Sequence, residues 1–333
     1  MKLRLAVVGL GNAWESRHRP ALRALVDRFE VRAICSDVAR QAEQAATEFE
    51  ADAVDGFRSL STREDIDAVM LLSPTWYGPL PILAACDAGK AVYCASALDL
   101  DPDRAREVKG RVERSGVAFM AEFPMRHAPA TLRLKELIAT SLGEPQLLFC
   151  HGRLHADPIN GRAGRSNLRA VMELVDWCGY VVGRKPTSVM GIAHQDQTQQ
   201  TESDYVMMSL DYSMGGGPGH GPVAQLSCGN YLPTNWPEAI AFRPPADLQV
   251  CCERGVAFID LPSNLVWFDD AGRHLESLDS ERPVGEQLLS QFHRAVTSLV
   301  RKMGDLEDAY QALATVRTAM QSFEQGRRIS LDF

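Results

Sequence analysis

Gly9 and Gly11 stand directly after the apolar run "LRLAVV" and ahead of the helical stretch "PALRALVDRF". A strand, a tight turn and a helix in that order aim backbone N–H groups and the positive end of a helix dipole at a diphosphate. Gly9, Gly11, Asn12, Ala13 and Trp14 are therefore candidate dinucleotide-binding residues. Ala13 or Trp14 takes the place of the third glycine of the usual fingerprint, so the helix start must pack differently. Trp14 either covers the diphosphate or braces the helix, and the competing reading keeps both glycines for the turn alone. The second apolar run ends in "AICSD", with Ser36 where a ribose-binding residue is expected and Asp37 next to it. A carboxylate accepts both ribose hydroxyls and repels a 2'-phosphate, which favours NAD, while NADP stays open.

Further chemistry clusters downstream. Tyr93, Glu122, Arg126 and His127 lie at strand ends and in the following loop, where a nucleotide-binding sheet faces its cleft. An acid, a guanidinium and an imidazole there can bind and protonate an acidic or carbonyl substrate. The alternatives are an interdomain Glu122–Arg126 ion pair and an interface role for His127. His151 and His155 point to one face of a probable strand and, with Asp157, match a metal set; solvated histidines fit the same pattern. Arg162 and Arg165 suit a carboxylate or phosphate clamp, or simply a solvated loop.

The elements that position these residues follow from the apolar patterning. "LRLAVVGLG", "EVRAICS", "DAVMLLSP", "KAVYCAS" and "VAFMAEF" read as strands. Between them run helical stretches, the last with Asp101 as N-cap, Pro102 at the first helical position and Gly116 after its end. Strands alternating with helices imply a doubly wound parallel sheet, an α/β Rossmann domain over residues 1–123. Over residues 124–333 two helices and the polar stretch "NGRAGRSN" precede successive strand-like runs, from "TSVMGIAHQ" to "NLVWFDD". These predict an α+β domain with a large, mostly antiparallel sheet, closed by two helices. "MGGGPGHGP" reads as a flexible connection between two strands.

At 333 residues, 45% of them hydrophobic, the chain has room for two cores. Its net charge of -8 argues against nucleic acid or an anionic membrane as partner. The first apolar run breaks at Gly9 with no cleavage site behind it, and no other run is long enough for a bilayer, so a cytoplasmic protein is expected. The eight cysteines show no paired zinc or redox spacing and read as buried hydrophobes.

"GLGNAWESRHRPALRAL", "DIDAVMLLSPTWYGPLPILAACDAGKAVYC", "RHAPATLRLKELI" and "DLEDAYQALATVRTAMQSFEQGRRISL", in this order and spacing, resemble the Gfo/Idh/MocA family of glucose-fructose oxidoreductase and inositol dehydrogenase type. The resemblance implies NAD(P)-dependent oxidation of a sugar hydroxyl, and a homodimer or homotetramer joined through the open C-terminal sheet. The family's Glu-Lys-Pro after the fifth strand corresponds here to Ala95-Ser96-Ala97, and its Thr-Pro-Asn after the fourth to Ser73-Pro74-Thr75. Its Asp-x-Gly-x-His, aligned through Asp176 and Gly183, falls on Arg169, Val171 and Glu173. A serine hydroxyl cannot take a substrate proton at neutral pH without a base beside it, and Arg169 can only orient or balance charge. Glu173 is a possible base that an i,i+4 pairing with Arg169 would hold ionised.

The sequence thus points to an oxidoreductase with a non-standard site for a sugar-like, polyol or acidic small molecule. Ser96, Arg169, Glu173, His127 and Tyr93 are its candidate catalytic residues, and Ser73, Pro74 and Thr75 add to the cofactor set. The alternative is an inactive family member that keeps the fold to bind a metabolite or a partner.

Overall fold

The structure, a computed structural model, describes residues 1–73, 77–95, 101–154, 163–194, 205–215, 217, 219–229, 238, 246–298 and 304–333. The chain divides into two compact units, Met1–Pro124 with Arg282–Tyr310, and Met125–Glu281 with Gln311–Phe333.

The first unit is built on six parallel strands: β1 (Leu3–Val8), β2 (Phe29–Cys35), β3 (Asp52–Ala53), β4 (Ala68–Leu71), β5 (Ala91–Cys94) and β6 (Phe119–Ala121). Their order, β3-β2-β1-β4-β5-β6, runs outward in both directions from β1 and β4. Strands that leave a sheet centre in opposite directions open a crevice at their carboxyl ends, the usual ligand position in such folds. Every residue of β4 and β5 is buried, as continuous apolar strands covered on both faces must be. Helices α1 (Arg19–Ala24), α2 (Ala39–Phe49), α3 (Phe57–Ser61), α4 (Leu80–Asp87) and α5 (Pro102–Ser115) make the crossovers. In α5 the Asp101 carboxylate accepts from the N–H groups of Asp103 and Arg104 at 3.0 and 3.4 Å, and Gly116 closes the helix with φ +63°.

The second unit holds nine strands: β7 (Pro145–Arg153), β8 (Ser188–His194), β9 (Tyr205–Asp211), β10 (Val223–Gly229), β11 (Leu248–Cys252), β12 (Gly255–Asp260), β13 (Asn264–Asp269), β14 (Gly272–Ser277) and β15 (Ile329–Ser330). Their order is β14-β13-β12-β11-β7-β10-β9-β8-β15, antiparallel throughout except for β7 beside β10. Buried and exposed positions alternate along β8 and β10, so one face is covered and the other open. Helices α6 (Pro129–Leu137) and α7 (Ala163–Val182) belong to this unit, and α8 (Val284–Thr297) and α9 (Gly304–Gln325) come between β14 and β15 along the chain.

Both expected sheets are therefore present. A second domain running unbroken from 124 to 333 differs from the observed division in one segment, Arg282–Tyr310. Helix α8 buries Leu288, Leu289 and Phe292 in the same core as Leu3, Leu5 and Tyr93 of the first unit. Its apolar stripe is visible in the sequence, but periodicity does not say which sheet the stripe will cover. Helix α7 begins at Ala163, so much of the polar stretch expected to precede the helix lies within it. The "MGGGPGHGP" connection does join neighbouring strands, and it is pinned: Asp211 accepts from the N–H groups of Ser213 and Gly219 at 2.9 and 3.0 Å and from Arg328 at 3.0 Å. Among the described residues no helix is long and apolar enough to cross a membrane.

Candidate active site

The glycine turn is forced by its packing. Gly9 has φ +75° and donates its N–H to the Cys35 carbonyl at 2.7 Å; a Cβ there would lie 2.7 Å from Ser73 Cβ. A Cβ on Gly11 would lie 2.3 Å from the Leu72 carbonyl oxygen. Any larger residue at either position would push the turn off the end of β4. The Trp14 N–H closes the turn on the Gly11 carbonyl at 2.9 Å and opens a π-helical turn, Trp14–His18, that runs on into α1. The Trp14 ring is buried, with its centroid 5.8 Å from that of Phe49 on α2. Asn12 is exposed and Ala13 half-buried beside it. The first N–H groups of a helix have no intrahelical acceptor, so this turn suits a diphosphate. A pocket of about 440 Å³ adjoins it, lined by Gly11, Trp14, Glu15, Arg19, Gln41 and Gln44 among others.

Asp37 is exposed just beyond β2, and its carboxylate accepts from Ser36 Oγ at 3.0 Å. That leaves acceptor capacity on Asp37 for ribose hydroxyls. Nearby, Tyr77 Oη lies 3.4 Å from Cys35 Sγ, and burial, helped by that contact, pushes the phenol up to about 12. Ser73 packs on Gly9, whereas Pro74, Thr75 and Ser96 lie outside the described residues.

Tyr93 lies inside the core of the first unit. It is fully buried, its ring centroid 5.4 Å from that of Phe292, and its hydroxyl donates to Glu122 Oε2 at 2.8 Å. Side chains alternate across a strand, and Tyr93 falls on the face that α1, α2 and α8 cover. Glu122 is buried as well: Oε2 also meets His18 Nε2 at 2.7 Å, and Oε1 accepts from Arg17 Nη1.

In the second unit α7 carries a polar stripe. Arg169, Glu173 and Asp176 are spaced i, i+4, i+7 and so share a face. Arg169 Nε donates to Glu173 Oε1 at 2.9 Å, the pairing that the spacing predicts. The Glu173 charge adds to burial in driving the Cys228 thiol up to about 12. Arg126, just before α6, grips buried Asp176 with two nitrogens, Nε to Oδ2 at 2.6 Å and Nη2 to Oδ1, and lies 5.5 Å above the Tyr180 ring. The half-buried His127 is the next residue. The sequence reading uses Asp176 only as an anchor and assigns no role to Arg17 or His18. An acid inside the apolar run "MELVDWC" is the signal that marks Asp176 as a buried ion-pair partner.

His151 Nδ1 lies 2.6 Å from Ser227 Oγ in a pocket of about 420 Å³ lined by Arg153, Gln225 and Asp247 among others. Burial, with Arg153 adding to it, lowers the imidazole's pKa. His155, Asp157 and Arg162, and the side chain of Arg165, lie outside the described residues. Among those described, no group of three or more His, Cys, Asp or Glu could hold a metal. Six of the eight cysteines are buried and all are free, with Cys150 Sγ 3.4 Å from Cys178 Sγ.

Residues 3–123 match a family described as an oxidoreductase family with an NAD-binding Rossmann fold. An inositol 2-dehydrogenase of Mycolicibacterium smegmatis is 30% identical over 164 residues, 47% of this chain and 46% of that one. A 2,7-anhydro-N-acetylneuraminate hydratase of Mediterraneibacter gnavus is 24% identical over 182 residues, 50% and 48% of the two chains. These matches span about half the length of the curated relatives. The fold extends over the whole chain. The aldose-aldose oxidoreductase of Caulobacter crescentus superposes with a TM-score of 0.84 over 99% of this chain and 100% of that one, at 15% identity. A Thermotoga maritima oxidoreductase gives 0.81 over 99% and 98%, at 18% identity. Residues 3–123 thus match the Gfo/Idh/MocA oxidoreductase family, described as an NAD-binding Rossmann fold, and over the whole chain the likeness is one of fold.

Proposed function

We propose that this protein oxidises or reduces a sugar-like, polyol or acidic small molecule with NAD(P), using a site that differs from the family's usual one. The observation that carries the reading is the Gly9–Trp14 turn, held tight against the end of β4 within a Rossmann domain of an NAD-binding family. The first N–H groups beyond Gly11 hold the diphosphate, and Asp37 accepts from the adenosine ribose, which favours NAD over NADP. When bound, the nicotinamide supplies hydride chemistry. The chain's own residues bind the substrate and move its proton. Arg169 orients an anionic or hydroxyl group, Glu173 takes the one hydroxyl proton as hydride leaves for the nicotinamide, and His127 hydrogen-bonds the same oxygen as it becomes a carbonyl. Ser96 contributes a hydrogen bond in place of a lysine.

A second reading, an inactive member that binds a metabolite or partner, is favoured by one observation: Glu173 Oε1 already accepts from Arg169 while Tyr93 is sealed in the core. A screen of polyols, sugars and sugar acids for nicotinamide turnover separates the two. Turnover that falls about a hundredfold in both Glu173→Gln and His127→Ala supports the enzyme. Stabilisation by NAD(H) without turnover of any of these substrates supports the binding protein.

We also propose a homodimer or homotetramer through the open face of the second sheet. Leu147 and Phe149 on β7, Met190 and Ile192 on β8, and Phe268 on β13 are exposed, and the strand register puts them on one face. An apolar face of this kind calls for a partner surface. Light scattering at the mass of a dimer or tetramer is expected, and a monomer would contradict it.

A further inference from the structure

The Glu122 carboxylate has no solvent exposure, yet it joins three separate stretches of the first unit. Oε1 accepts from Arg17 Nη1, and Oε2 is shared by His18 Nε2 at 2.7 Å and Tyr93 Oη at 2.8 Å. Arg17 and His18 close the π-helical turn that Trp14 opens, Tyr93 lies on β5, and Glu122 follows β6. Consecutive side chains of an α-helix diverge by about 100°. Here Arg17 and His18 nevertheless converge on the two oxygens of one carboxylate, from the end of a π turn, a form that recurs at functional sites. Among the described residues His18 Nδ1 is buried with no hydrogen-bond partner, and Nε2 meets Glu122.

The helix start that follows the glycine turn is thus tied to β5 and β6 through a single side chain. We propose that Glu122 is a positioning residue for the diphosphate of a bound dinucleotide. Acting through Arg17 and His18, it sets where the first N–H groups of the helix stand relative to the strand ends. Each oxygen makes a charge-assisted hydrogen bond in a dry setting, where such bonds are stiff and orienting. This inference rests on the dinucleotide-binding reading above.

The test compares Glu122→Gln and Tyr93→Phe with the unaltered protein, using NADH, ADP-ribose and adenosine as probes in competition titrations, with thermal melting in parallel. NADH and ADP-ribose carry a diphosphate and adenosine does not. Glu122→Gln should weaken NADH and ADP-ribose about tenfold and leave adenosine within about twofold. Tyr93→Phe, which removes one donor and keeps the ring, should give the same selective loss at about threefold. A purely structural defect would weaken all three probes together, and that result overturns the proposal. Unchanged binding in a folded Glu122→Gln variant overturns it too. If Glu122→Gln fails to fold, Tyr93→Phe decides, and unchanged NADH binding in it is the contrary result. If the unaltered protein binds none of the probes, the dinucleotide reading itself has failed and this inference falls with it; bound probes with insensitive variants sink the positioning role alone.

Discussion

Glu122 in the first unit and Glu173 in the second both meet an arginine, in opposite surroundings. The Glu122 side chain is wholly enclosed and its oxygens are taken by Arg17, His18 and Tyr93. Glu173 keeps 23% of its side-chain surface, and its Arg169 partner 36%, on the same helix. A buried carboxylate with several donors is fixed in place, and removing a partner strands a charge. A half-exposed i,i+4 pair contributes little to stability and can exchange its partner for a ligand. The contrast separates a carboxylate fixed by its partners from one that can exchange its partner.

Asp176 offers the harshest test of that contrast, since it lies one helical turn from Glu173 but has the enclosure of Glu122. Its side chain is 2% exposed and Arg126, at 15%, has it as a partner. Asp176→Ala should cost about 3–5 kcal/mol in urea unfolding. A loss below about 1 kcal/mol would mean that water reaches the guanidinium and that enclosure is not the deciding variable. Gly11→Ala comes next. Its Cβ would press to 2.3 Å on a backbone oxygen that cannot rotate away, so about 2 kcal/mol should be lost together with NADH binding. A variant as stable as the parent would mean the turn has room to shift.

Asp67 sharpens the comparison through pH. Its carboxylate accepts from Arg4 N, Nε and Nη2 at 2.9, 3.1 and 2.7 Å, and the side-chain bond to Arg4, reinforced by backbone and charge, lowers its pKa. A carboxyl whose folded pKa lies below its unfolded value of about 3.9 stabilises the protein above that pH and loses the effect as pH falls through the folded pKa. Because the pair is partly exposed, Asp67→Asn should cost about 1 kcal/mol at neutral pH and almost nothing in strong acid. An equal cost at both pH values would assign the loss to packing. Smallest of all, Glu173→Gln should change stability by less than about 0.5 kcal/mol while lowering turnover. A large destabilisation would place Glu173 with Glu122 among the structural carboxylates.

Where a local signal decides the structure, the sequence is legible. Asp101, Pro102 and Gly116 bound α5 because caps act within one turn, and Gly9 and Gly11 mark the turn because no Cβ fits beside Leu72 and Ser73. The Arg169–Glu173 pair follows from helical spacing alone. Long-range choices are not legible in the same way. The stripe of Leu288, Leu289 and Phe292 names a buried face without naming the sheet it covers. Tyr93 sits at a strand end, where an open cleft is the natural expectation, but strand alternation turns it toward α8. Trp14, in place of a glycine, signals an unusual helix start, yet only packing against Phe49 shows what its ring does. Nothing in "ESRHRP" assigns a role to Arg17 or His18, and the Glu122 carboxylate that meets them is brought there by β6.

We propose that the Gly9–Trp14 turn binds a nicotinamide dinucleotide. Calorimetric titration of the purified protein with NADH and NADPH tests it most directly. Binding of NADH with a Kd in the micromolar range, with NADPH about tenfold weaker because Asp37 repels its extra phosphate, is the predicted result. Heat from neither dinucleotide at millimolar concentration would contradict the claim and leave the glycine turn as a feature of the fold alone.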